Sequence, residues 1–102
     1  MKHVYLVLFS WGTEEDSGID SYVYENYDDA VKKFKAIIAD EMNPAFSWVG
    51  DEAFNSAGQL NKDFILHEFT DESTGENLFW QVGDYNHVDR YSFVDLLKRE
   101  IL

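Results

Sequence analysis

Several residue types that support particular functions are missing or scarce in this chain of 102 residues. It has no cysteine, which excludes disulfides, thiolate zinc sites and thiol nucleophiles. Lysine and arginine together number eight, against 20 aspartate and glutamate residues, so the net charge is −12. This balance argues against direct binding to nucleic-acid phosphates or to an anionic membrane, because both need a basic surface.

Long hydrophobic runs are also missing, and a membrane-spanning helix needs about 20 apolar residues. The apolar run from Val4 to Phe9 is too short for a secretory signal peptide, and acidic residues replace the small residues of a cleavage site. No acceptor sequence for N-glycosylation occurs. We therefore expect a cytoplasmic protein with no membrane partner.

The residues that are present suffice for a folded core. The chain is 45% hydrophobic and 17% aromatic, which argues against disorder. A length of 102 residues suits one acidic domain covering residues 1–102. We find no repeat, linker or low-complexity tract that divides it.

The N-terminal half predicts a hairpin followed by a helix. Apolar side chains at both alternating positions of Lys2–Trp11 indicate a central strand, and a polar turn connects it to a second strand over Ile19–Glu25. Apolar residues then recur at helical spacing and predict a helix over about Tyr27–Met42. Asn26 or Asp28 suits its N-cap, and the Asn43-Pro44 pair ends it.

The C-terminal half is less regular. A short helix or turn is plausible near Asp51–Asn55, and Phe64–Phe69 with Leu78–Val82 predicts a second hairpin. Residues 91–102 fit either a short helix, through the capping-box pattern Ser92-x-x-Asp95, or a strand, through alternating apolar residues. We expect an α+β fold: an antiparallel sheet of four to five strands, with the helix at about 27–42 packed on one face.

Catalytic patterns are weak in this sequence. No nucleophile elbow, phosphate-binding loop or dinucleotide fingerprint occurs, and the three histidines have no metal-ligand spacing. The segment from Asp84 to Asp89 offers Asn86 and His87 as further ligands, but the pattern is incomplete and is also ordinary turn chemistry. We therefore expect no enzyme activity, no cofactor, no metal and no catalytic residue. A small metal-binding or enzymatic domain centred on residues 84–89 is one alternative.

The acidic residues carry more information because they are unevenly distributed. Residues 10–31 hold seven acids and no lysine or arginine, and residues 36–89 hold 11 acids and only Lys62. Acids in predicted loops or at strand edges are the candidates for binding a partner, with Trp48 as an aromatic anchor in the least regular segment. These candidates are Glu14, Glu15, Asp16, Asp20, Trp48, Asp51, Glu52, Asp71, Glu72 and Glu76.

Two interpretations of the charge remain open. The common one is a solvated surface that keeps an aromatic-rich protein soluble. The sharper one is a surface that occupies a basic groove, because a net charge of −12 exceeds the magnitude of about 2–8 that suits a small domain. Binding of that kind is fast and sensitive to salt.

The order of elements and the segments SWVGDE, FILHE and GDYN resemble small acidic proteins of phages and mobile elements. In those proteins the segment that corresponds to YSFVDLLKREIL resembles a final strand, so the resemblance implies a strand for this segment. By size and charge the chain is also similar to anti-CRISPR and anti-restriction inhibitors, several of which mimic nucleic acid. This resemblance implies a non-enzymatic inhibitor that blocks the nucleic-acid-binding groove of a host enzyme.

An immunity-type protein that neutralises a basic toxin is a second alternative, because acidic charge serves it equally well. Either partner is a protein with a basic groove. A free strand edge beside the second hairpin allows pairing between chains, so we expect a monomer or a dimer.

Overall fold

The computed structural model describes residues 2–84 and 90–101 as one sheet with one main helix. The strands and the helix, in chain order, are β1 (Lys2–Gly12), β2 (Ser17–Tyr24), α1 (Tyr27–Glu41), β3 (Phe64–Phe69), β4 (Leu78–Asp84) and β5 (Tyr91–Ile101). A single π-helical turn, Val49–Ala53, precedes β3, and a short 3-10 turn, Glu72–Thr74, follows it. The predicted α+β class is confirmed.

The five strands are hydrogen-bonded in the order β2-β1-β5-β4-β3, each antiparallel to its neighbours. The two longest strands, β1 and β5, pair along their whole length. The C-terminal segment is therefore a strand and not a short helix. Its alternating apolar pattern prevails over the capping-box pattern because β5 pairs with both β1 and β4.

The cross-strand register gives the sheet two different faces. On one of them, Val7 of β1 lies opposite Leu96 of β5, which lies opposite Leu78 of β4, and all three side chains are fully buried. We call this the helix face, because α1 packs on it. The alternate strand positions form the open face, on which no side chain is fully buried.

The helix α1 forms where the sequence predicts it. The Asn26 side chain accepts hydrogen bonds from the backbone N–H groups of Asp28 and Asp29, at 2.8 and 3.4 Å, and so caps the first turn. Both aspartates also stabilise the positive end of the helix dipole. The helix ends at Glu41, one residue before the predicted end. The residues that it buries against the sheet are Ala30, Val31, Phe34 and Ile37.

The connection from α1 to β3 is irregular but packs into the core. The π-helical turn within this connection buries Val49 and Ala53. This turn begins two residues before the predicted range Asp51–Asn55. Phe54 follows and stacks on Trp80 of the helix face, with ring centroids 6.3 Å apart. Within the described part of the chain, no helix is long and apolar enough to cross a membrane.

Candidate protein-binding site

One end of the sheet collects several of the predicted partner-binding residues. The connection from β1 to β2 is a tight turn, in which the Thr13 N–H donates to the Asp16 carbonyl oxygen at 2.7 Å and the Asp16 N–H donates to Thr13 Oγ1 at 3.1 Å. The Asp16 carboxylate accepts from the Ser17 N–H at 2.8 Å. These bonds hold Glu14 and Glu15 at the exposed tip of the turn.

Beside that turn lie three further side chains, those of Trp48, Glu52 and Arg90. The Arg90 guanidinium lies 4.6 Å from the centroid of the Trp48 ring and forms an ion pair with Glu52. The Trp48 ring also contacts Phe64, with centroids 5.9 Å apart, so its indole is half-buried. Trp48 is therefore held in place by its own chain, and only part of its surface is exposed.

The turn residues and the cluster around Trp48 line one shallow depression. The residues that form it are Thr13, Glu14, Glu15, Trp48, Glu52 and Arg90. We call these six residues together with Asp16 the upper pole. Among the described residues, no lysine or arginine forms an ion pair with Glu14 or Glu15. The upper pole therefore combines uncompensated carboxylates with the edge of an aromatic ring, which suits contact with cationic side chains of another protein.

A second acidic group lies at the opposite end of the sheet, where β3 connects to β4. We call Asp71, Glu72 and Glu76 the lower pole. Glu72 forms an ion pair of 2.7 Å with Lys35 of α1, and the Tyr27 hydroxyl donates to the Glu76 carbonyl oxygen at 3.1 Å. The lower pole is therefore bound to α1 and partly neutralised by it.

Hydrogen bonds shift the pKa of Asp71 at the lower pole, and burial shifts the pKa of Tyr27 of α1, which contacts it. The Ser73 hydroxyl and backbone N–H both donate to the Asp71 carboxylate, at 2.6 and 3.1 Å, and they lower the pKa of Asp71. Burial, and then the charge of Glu72, raise the pKa of Tyr27. Asp71 is thus stabilised in its charged form.

The remaining two predicted residues lie elsewhere. Asp20 is on β2, where it lines a depression that also includes Lys33, Asp40 and Phe46. Asp51 is in the turn before β3 and faces a different hollow, beside Pro44 and Gly58. The ten predicted residues therefore do not form one surface. The structure brings together Glu14, Glu15, Asp16, Trp48 and Glu52, and it separates the others from them.

The metal-binding alternative falls mainly outside the described residues. Asp84 ends β4, but Asn86, His87 and Asp89 lie in the segment 85–89, which the structure does not describe. Among residues 2–84 and 90–101, no group of three histidine or acidic side chains is placed to hold a metal ion. His3 and His67 lie on β1 and β3, as predicted, with two strands between them.

Sequence reasoning missed Arg90 as a part of this site. A single arginine beside a turn gives no periodic signal, and its contacts with Trp48 and Glu52 join segments about 40 residues apart. Comparison of the chain with models of protein families, with curated proteins and with solved structures gives no match.

Proposed function

We propose that this chain is a non-enzymatic binding protein whose upper pole enters a basic groove of another protein and blocks it. The preferred partner is a nucleic-acid-binding enzyme of the host, for which rows of carboxylates substitute for phosphates. The observation that carries the proposal is the convergence of Glu14 and Glu15 with Glu52, which lies more than 35 residues further along the chain, in one depression at an exposed end of the sheet.

Electrostatics support this choice of partner. A molecule with a net charge of −12 steers positively charged partners toward it and repels nucleic acid. Arg90 neutralises Glu52. Glu14 and Glu15, at the exposed tip of the turn, form no ion pair with a lysine or arginine among the described residues. Because partly exposed charges are screened by salt, we expect binding to weaken steeply as ionic strength rises.

Charge reversal tests the proposal. Glu14→Lys with Glu15→Lys should abolish capture of the partner, because both side chains are exposed at the upper pole. The matched control is Glu68→Lys with Glu100→Lys, which changes the net charge by the same amount at exposed positions of β3 and β5. Both double variants should keep the wild-type melting temperature, since exposed substitutions rarely change stability by more than about 0.5 kcal/mol.

The two double variants separate local recognition from total charge. Loss of binding in the upper-pole variant alone supports the proposal. Equal loss in both variants means that total charge and not the upper pole drives binding, and equal retention means that the upper pole is not the site. Capture of a toxin that binds no nucleic acid would instead favour immunity-type neutralisation.

A further inference from the structure

Apolar side chains occupy open-face positions on all five strands, although α1 covers only the other side of the sheet, and the polar residues between them include Ser10, Ser21, His67 and Gln81. The apolar side chains of the open face are Val4, Leu6, Leu8, Ile19, Val23, Ile65, Phe69, Phe79, Tyr91, Phe93, Leu97 and Ile101. Ile19 and Val23 are 67% and 64% exposed, and Ile65, Phe69 and Phe79 are each more than a third exposed. Apolar side chains in this number on one uncovered face of a small domain indicate an interaction site.

Acidic residues are almost excluded from this face. Asp95 is the only acid at an open-face position of the described strands, in a chain that contains 20 acids. It lies between Leu8 and Phe79, and it accepts a hydrogen bond of 3.0 Å from the Gln81 side chain. The cations of the face, Lys2 and Arg99, lie near one end of it. The net charge of the molecule is therefore concentrated away from the open face.

The size of the open face matches the need of a stable interface. Five strands of six to eleven residues cover about 700 Å² at a rise of about 3.3 Å per residue and a spacing of about 4.8 Å between strands. A stable protein–protein interface buries about 800 Å² on each partner. A second sheet of the same dimensions therefore covers the whole face.

We propose that two copies of this chain associate by packing their open faces against each other. The result is a β-sandwich dimer with the two sheets about 10 Å apart and the two α1 helices on its outer sides. Such a contact is isologous, the commonest arrangement in homo-oligomers, because each copy contributes the same surface. The upper pole of each copy stays free for another partner.

Charge favours a second copy over a membrane as the occupant. Within the described strands, Lys2 and Arg99 are the only lysine or arginine residues at open-face positions, and the molecule as a whole is repelled by anionic lipid. In the sandwich most acids lie on the outer sides, where salt screens the repulsion between copies beyond about 8 Å at physiological ionic strength. Dimerisation should therefore strengthen as salt is added, whereas binding of a basic groove should weaken.

Sedimentation velocity over a concentration series tests the dimer. We expect the wild-type chain to sediment with twice the 11.9 kDa mass of one chain at high concentration. Phe79→Lys should raise the dimer dissociation constant by about a hundredfold or more, because the sandwich would bury the lysine ammonium group, and even with Asp95 beside it a buried ion pair is less favourable than packed apolar side chains. In the monomer the new lysine stands beside Asp95 on the neighbouring strand, so the sheet itself is preserved.

The matched control is Phe46→Lys, the same change at a side chain that is 74% exposed outside the strands. It should dimerise like the wild type. If Phe79→Lys fails to fold, Ile19→Lys with Val23→Lys replaces it, because both side chains are already exposed. A wild-type chain that is monomeric at every concentration and salt level overturns the proposal. The proposal is also overturned if the lysine variants of the open face still form the dimer. That result would indicate that the two copies pair through their strand edges.

Discussion

Gly50 provides the most specific test of how the turn before β3 is built. This glycine is buried where the turn meets the end of α1. A Cβ atom at Gly50 would overlap the Met42 carbonyl oxygen, and it would lie 2.5 Å from the Met42 carbonyl carbon and 2.7 Å from that of Asn43. Carbon atoms in contact need about 3.5 Å, so Gly50→Ala must move two backbone segments apart by about 1 Å.

The cost of that movement follows from known overpacking effects. Adding atoms to a close-packed site costs about 1–3 kcal/mol, and the reduced entropy of the unfolded chain offsets about 0.4–1 kcal/mol of this. We therefore expect Gly50→Ala to lower the free energy of unfolding by about 1–2 kcal/mol. For a domain of this size that corresponds to a melting temperature lower by about 5–15 °C.

Thermal unfolding followed by circular dichroism measures the effect, with Gly83→Ala as the matched control. The nearest atom to a Cβ at Gly83 is the Arg90 carbonyl oxygen, at 4.0 Å, so this variant should be as stable as the wild type or more stable. Near-ultraviolet circular dichroism of Gly50→Ala should also change, because Trp48 precedes the displaced turn. Equal melting temperatures for the two variants would refute the argument from close approach.

Substitutions at three further positions test the helix, the core and the open face. Asn26→Ala should cost about 1 kcal/mol in urea unfolding because it removes the N-cap, and Asn26→Asp should restore most of the loss. Phe34→Ala should cost about 3–5 kcal/mol, since this ring is fully buried; a cost below about 1 kcal/mol would contradict its place in the core. Burial raises the pKa of Asp95, so protonation favours the folded state. The free energy of unfolding should therefore fall as pH rises from the unfolded-state pKa of Asp95 through its higher folded-state pKa. Asp95→Asn should remove this pH dependence. An unchanged pH dependence in the variant would show that Asp95 is not its source.

The local elements could be predicted because their signals are local. The Asn26 cap, the apolar stripe on α1 and the Asn43-Pro44 stop lie within about 20 residues of one another, and the helix forms between them. The two hairpins likewise have polar turns between alternating strands. In each case the residues that decide the structure are neighbours in sequence.

The form of the C-terminal segment could not be decided from the sequence because it depends on distant partners. Ser92 and Asp95 match a capping box, but in the structure Ser92 is buried on the helix face and its hydroxyl donates to the Glu41 carboxylate at 2.8 Å. Asp95 is on the other face, paired with Gln81. Both residues serve contacts between elements, which a local pattern does not encode.

The two surfaces show the same limit. Apolar residues on both sides of β1 correctly predict a central strand, but they do not reveal that only one side is covered by α1. The sequence marks Glu14 and Glu52 as candidates in two separate segments, and only the fold brings them into one depression with Arg90. Contacts between residues that are distant in sequence therefore determine which of the predicted residues lie together.

The measurement that tests the central claim most directly is affinity capture from a lysate of the native host, eluted in salt steps. The immobilised wild-type chain should retain a nucleic-acid-binding protein that is released by salt and displaced by added DNA or RNA. The variant with Glu14→Lys and Glu15→Lys should fail to retain it, whereas the variant with Glu68→Lys and Glu100→Lys should retain it fully. Retention of the same protein by the upper-pole variant, or failure of DNA and RNA to displace it, would contradict the claim that the upper pole occupies a nucleic-acid-binding groove.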